Sequence, residues 1–102
     1  MAGNDFRTGN NPRTLDAAIT STAKTLVLTM IPDSLAFYAD AVIRAPSTNT
    51  DIIYFRINGA TADATTGEAL IPGQERHVEA YIRSVSAIAA AGTQSIEVLG
   101  RG

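Results

Sequence analysis

Apolar and polar residues alternate between positions 76 and 83. Val78, Ala80 and Ile82 alternate with Glu79, Tyr81 and Arg83, the period expected of a strand with one buried face. Upstream, residues 52–57 are consecutive β-branched and aromatic residues apart from Arg56, and Asn58-Gly59 then ends the run with a dipeptide that tolerates positive φ. Between these two strands, Ala69, Leu70 and Ile71 form a short extended piece. Pro72-Gly73 closes it as positions i+1 and i+2 of a type II turn.

The same reading extends to both ends. Leu26, Leu28 and Met30 share one strand face, with Thr25, Val27 and Thr29 on the other, and Pro32-Asp33 ends the run. Residues 15–22 carry helical spacing at Leu15, Ala18 and Ile19 but are rich in β-branched side chains, and they are read as extended. Residues 34–45 also hold a helical stripe behind an N-cap at Asp33 or Ser34. Here 34–37 are read as a connection and 38–44 as a strand, with Ala41 and Ile43 inward and Asp40, Val42 and Arg44 outward. Pro46-Ser47-Thr48-Asn49 supplies a turn. Residues 84–90 and 95–99 flank Ala91-Gly92-Thr93-Gln94 and read as a hairpin, with Ile96 and Val98 inward and Glu97 outward. The fold class is therefore all-β: a single small antiparallel β-sandwich, jelly-roll-like or an incomplete barrel, of about seven short strands.

Composition narrows the function. The chain has 102 residues, enough for one core that buries roughly 65% of the unfolded surface. With 45% hydrophobic and 18% charged residues, packing of small and branched side chains must hold it together. A net charge of −2 with scattered Lys and Arg argues against a nucleic-acid partner, since phosphate binding needs clustered cations. The absence of cysteine removes disulfides, thiolate zinc sites and a cysteine nucleophile. No signal-peptide core and no run of ~18 apolar residues is present, so the expectation is a soluble protein made in the cytosol, with no membrane partner.

Candidate chemistry is sparse. His77, between Glu75 and Glu79, shares a strand face with both, a spacing that could converge on a metal; without a fourth ligand or supporting shell it reads as the solvated side of an edge strand. A hydrolytic triad would need His77, one of Asp40, Asp51 or Asp63, and an activated serine, and no nucleophile-elbow pattern exists. The 58–67 segment holds Asp63 close to Glu68 but lacks the carboxylate density of a calcium loop. Without Trp, sugar stacking would fall to Tyr38, Tyr54 and Tyr81. No catalytic residue, metal site or cofactor is expected.

Residues 1–13 contain Gly3, Asn4, Gly9, Asn10, Asn11 and Pro12, with Phe6 as the one large apolar side chain after Met1. They are read as an N-terminal arm, either frayed or ordering on a neighbour through Phe6, Arg7 and Arg13. Residues 14–102 are assigned to the sandwich.

From residue 24 onward, the order AVIRAPSTNTDIIYFRING, TTGEALIPGQERHVEAYIRSVSAI and AAGTQSIEVLG resembles small β-sandwich structural proteins of tailed bacteriophages. Their G-x-x-L-x-P-G-E segment corresponds here to Gly67-Glu68-Ala69-Leu70-Ile71-Pro72-Gly73-Gln74, with Gln74 in place of the usual Glu. The resemblance implies a capsid decoration (cement) protein on the virion exterior, without catalytic residues or cofactor. It would assemble as a homotrimer and bridge subunits of the major capsid protein, gaining strength from multivalency. The arm, and a sheet face with Tyr54, Arg56, Tyr81 and Arg83, would make its contacts. Asn58, Gly59, Pro72 and Gly73 would serve as turn residues. A receptor- or glycan-binding module of the head exterior, tail or fibre is the alternative.

Overall fold

The computed structural model describes residues 13–26, 28, 40–79 and 82–100. Among them are eight strands: β1 (Arg13–Ile19), β2 (Lys24–Leu26), β3 (Ala41–Arg44), β4 (Ile53–Ile57), β5 (Glu68–Leu70), β6 (Glu75–Val78), β7 (Val85–Ala89) and β8 (Gln94–Gly100). β1 pairs with β8, β2 with β7, β3 with β6 and β4 with β5, all antiparallel. The chain is thus one long hairpin with its tip between β4 and β5. It is rolled so that β3 also meets β8 and β4 also meets β7. Two four-stranded sheets result, β1-β8-β3-β6 and β2-β7-β4-β5, a jelly-roll winding.

The expected alternation places the core between these sheets. Ala41 and Ile43 of β3, with Ile96 and Val98 of β8, look across at Ile53 and Phe55 of β4 and at Val85, Ala87 and Ala89 of β7. Ile19, Leu26, Leu70 and Ile82 complete the cluster. Each fully buried aliphatic side chain contributes about 1.5–3 kcal/mol relative to exposure, and the alanines leave room for the larger residues opposite. Every edge strand carries charge: Arg13 and Asp16 on β1, Lys24 on β2, Glu68 on β5, and Glu75 and Arg76 on β6. Charged edges discourage strand-to-strand aggregation.

Local turn chemistry is where expected. Asn58 and Gly59 both have positive φ (58° and 92°), and β4 stops immediately before them. Gly73 has φ 87°, and the Gln74 N–H donates to the Ile71 carbonyl at 2.9 Å, closing the turn around Pro72-Gly73.

Several expectations about pairing and extent are corrected. The hairpin of residues 84–90 with 95–99 does not form: β7 and β8 lie in different sheets, and residues 91–93 cross between them. Both strands have an apolar inward face, and from opposite sheets these faces meet across the core. The strand expected over 76–83 ends at Val78, although Ile82 is fully buried as the alternation requires. The strand expected over 38–44 begins at Ala41. Arg13, assigned to the arm, is the first residue of β1. Phe6, Arg7, Met30, Tyr38, Ala80 and Tyr81 lie outside the described residues.

Candidate interaction surface

The outward face of the β1-β8-β3-β6 sheet is an ordered grid. Strand register places Arg13, Leu99, Val42 and His77 in one row across the four strands, and Leu15, Glu97, Arg44 and Glu75 in the next. Leu15 is one of two large hydrophobic side chains that are markedly exposed among the described residues, at 50%. Leu99 and Val42 beside it are half-buried.

Glu97 was expected outward, and it does lie on the outward side, yet it is only 3% exposed. Its neighbours explain why a carboxylate survives there. Arg13 on β1 pairs ionically with Oε2, while Arg44 on β3 brings Nη2 to 2.8 Å from Oε1. The Arg44 contact is ionic but off the hydrogen-bond line, which leaves Oε1 with no hydrogen-bond partner among the described residues. Buried charge is tolerated when paired, and an incompletely satisfied one is costly. Sequence reading missed this centre because Arg13, Arg44 and Glu97 are far apart in the chain, and alternation alone predicts only that Glu97 faces out.

His77 sits at the β6 margin of the same face. Its Nε2 is 2.6 Å from Asp40 Oδ1, and its Nδ1 is 3.8 Å from Glu79 Oε2. The two carboxylates approach different ring nitrogens and so do not converge on one point. Among the described residues, no group of three His, Cys, Asp or Glu side chains is arranged to hold a metal.

The opposite sheet presents a different exterior. Residues 58–67, joining β4 to β5, fold back over it: Ala62 is buried and its N–H donates to Ser86 Oγ at 3.0 Å. A Cβ on Gly67 would come within 2.8 Å of both Tyr54 Cβ and the Asp63 carbonyl, so Gly67 permits this close approach. Arg56 reaches Thr66 Oγ1 at 3.4 Å. Tyr54 and Arg56 therefore do face outward, as read from the sequence, but they are engaged by their own loop. Arg83 is exposed, and its N–H donates to Asn58 Oδ1 at 2.8 Å, which ties it to the end of β4.

Asp63 holds the same loop in shape. Its Oδ1 accepts from the Thr65 hydroxyl and from the amides of Thr65 and Thr66 at 2.7–2.8 Å. The Thr65 hydroxyl, together with these amides, pulls its pKa well below the usual carboxylate range. This is a self-contained turn whose carboxylate is already engaged. A cleft of about 530 Å³ opens beside the β5 and β6 edges, lined by Phe55, Ile57 and Val78 with Arg56, Arg76 and Glu68 among its polar residues. The Arg76–Glu68 ion pair connects its two sides.

Fold and surface together define a small jelly-roll sandwich with one sheet exterior occupied by its own loop and the other carrying apolar side chains among charges. No protein-family model and no curated protein matches the chain. Among solved structures it is similar to a protein from work titled "Bacillus endospore appendages form a novel family of disulfide-linked pili". The identity is 14% over 89% of this chain and 86% of that one, with a TM-score of 0.46. This likeness carries no functional argument.

Proposed function

We propose that this protein is a non-enzymatic structural component that acts by holding other protein subunits together, as a decoration protein bridging major capsid protein subunits on a bacteriophage head. The observation that carries this reading is the outward face of the β1-β8-β3-β6 sheet. There Leu15, Leu99 and Val42 lie among Arg13, Arg44, Glu97 and Glu75. Apolar centres with Arg at their margins suit protein contact. The sequence resemblance supplies the capsid as partner, and multivalent attachment would let modest contacts add up on a repeating shell.

The test uses shells of the encoding phage assembled without this protein. Adding the purified chain should give saturable co-sedimentation and a higher shell melting temperature. Failure to bind shells, together with binding to a host-surface glycan on an array, would replace this reading with that of a receptor-binding module.

A further inference from the structure

We propose that Asn58-Gly59 is a latent covalent modification site, a deamidation site that the fold holds shut and that reacts only when the end of β4 separates from residues 83–84. In this reaction the backbone nitrogen of Gly59 attacks Cγ of Asn58. A C–N bond forms, the bond from Cγ to the side-chain nitrogen breaks, and that nitrogen leaves as ammonia with the proton from Gly59. The product is a five-membered succinimide. Water then adds to one of its two carbonyls, giving aspartate or, where the backbone carbonyl is attacked, an isoaspartate whose main chain runs through Cγ. Solvent water is the only co-reactant. Glycine favours the attack because no Cβ shields its nitrogen. Both residues are exposed, and nothing lies within 4 Å of the position a Gly59 Cβ would take. By sequence and exposure alone the pair is reactive.

The folded geometry withholds that reactivity. The φ values of 58° at Asn58 and 92° at Gly59 are those of a type I′ turn, in which ψ of the first central residue is about +30°. Closing the succinimide ring needs the Gly59 nitrogen eclipsed with the Asn58 Cβ about the Cα–C bond, and this ψ sets the two nearly opposite one another. Three hydrogen bonds hold the turn in that state. The Asn58 N–H donates to the Ser84 carbonyl at 3.0 Å, and the Arg83 N–H donates to Asn58 Oδ1 at 2.8 Å. The Gly59 N–H, whose proton must be lost, donates to Ser84 Oγ at 3.2 Å. Backbone, electrophile and nucleophile are thus all engaged by residues 83 and 84. The turn lies at the end of β4, away from the sheet whose exterior is assigned to subunit contact. It joins the core strand to the loop of residues 58–67, so it can open at the margin of its sheet without the core separating, and such local openings require less free energy than global unfolding. An isoaspartate formed during an opening lengthens the main chain within a two-residue turn, which makes a passing separation permanent.

The test follows deamidation of the full-length chain in mildly alkaline buffer, folded or unfolded in guanidinium chloride. Trypsin cleaves after Arg56 and Arg76, and the 57–76 peptide holds Asn58 as its single asparagine, so its mass gain and its isoaspartate content read the site directly. The unfolded chain should react at least about tenfold faster than the folded one, a ratio set by the population of the opened turn. Folded Ser84→Ala, with an unchanged circular dichroism spectrum, should react several-fold faster than folded wild type, and the two should react equally when unfolded. Isoaspartate should accompany aspartate in the product. Folded wild type reacting as fast as the unfolded chain overturns the proposal. So does a folded Ser84→Ala no faster than wild type, an acceleration by Ser84→Ala that persists in the unfolded chain, or aspartate formed without isoaspartate. Neither shells nor partners enter these measurements, so the capsid reading is untouched by either result.

Discussion

The side-chain amide of Asn49 pairs reciprocally with the backbone of Ser95: Nδ2 donates to the Ser95 carbonyl and Oδ1 accepts from the Ser95 N–H, both at 2.8 Å. A side chain in the β3-β4 connection thereby imitates a strand neighbour at the start of β8. Gln94 extends the arrangement by accepting from the Thr50 N–H at 2.8 Å and donating to the Ala91 carbonyl at 2.9 Å. These bonds fasten two inter-sheet crossings to each other. Asn49→Ala removes both Ser95 bonds and leaves partly buried backbone groups unpaired, and it should cost about 1–3 kcal/mol. Urea denaturation would show this as a lower midpoint at unchanged slope.

Gly67→Ala should be destabilising although Gly67 needs no positive φ. The added methyl would contact Tyr54 Cβ and the Asp63 carbonyl at 2.8 Å, and a backbone oxygen cannot rotate aside. Overpacking of this kind costs about 1–3 kcal/mol. Gly59→Ala meets open space, with nothing within 4 Å, so its cost should come from the positive φ of 92°. Thermal unfolding of the two variants, with hydrogen exchange across residues 58–67, would separate packing from backbone strain. Gly67→Ala should loosen the whole loop.

Removing a cation from Glu97 should cost more than its surface position suggests. Arg44→Ala takes away the group 2.8 Å from Oε1 while the carboxylate stays buried, and breaking such a pair costs about 3–5 kcal/mol where the remaining charge is fully buried. Arg13 still pairs with Oε2, so the single variant should fall short of that range and Arg13→Ala/Arg44→Ala should approach it. A double-mutant cycle in chemical denaturation measures the coupling.

Acid should weaken the loop and the β1-β2 region together. The Asp63 pKa lies well below its ordinary value of 3.8, chiefly through the Thr65 hydroxyl. For Asp16, burial pushes upward, but the Lys24 hydrogen bond, the Ala18 amide and the Lys24 charge outweigh it and leave the group lowered from 3.8. Both folded-state values lie below the unfolded ones, so the unfolded chain binds more protons. Their stabilisation is present above the unfolded value near 3.8 and is lost as pH falls below it toward the folded values. Carboxyl NMR titration should show the Asp63 value rising in Thr65→Val, yet staying below 3.8, because the Thr65 and Thr66 amides still donate. Lys24→Ala should raise Asp16.

Core truncation provides a scale for these effects. Ile43 is fully buried at the centre of β3, and Ile43→Ala should cost about 2–5 kcal/mol, more than any single turn change above.

What the amino-acid order determined by itself was local. Asn58-Gly59 and Pro72-Gly73 stop strands because only certain residues accept positive φ or a fixed φ. Ala41, Ile43, Ile96 and Val98 point inward because side chains on a strand alternate. The tertiary structure decided which strands are neighbours, since backbone N–H and C=O groups are the same on every strand and cannot specify a partner. β7 and β8 separate into different sheets because that lets their apolar faces meet across the core. The same rolling brings Arg13 and Arg44 onto either side of Glu97 and turns a nominally exposed glutamate into a buried one. It also folds residues 58–67 over Tyr54, so the open sheet face is the one built from Leu15, Val42 and Leu99.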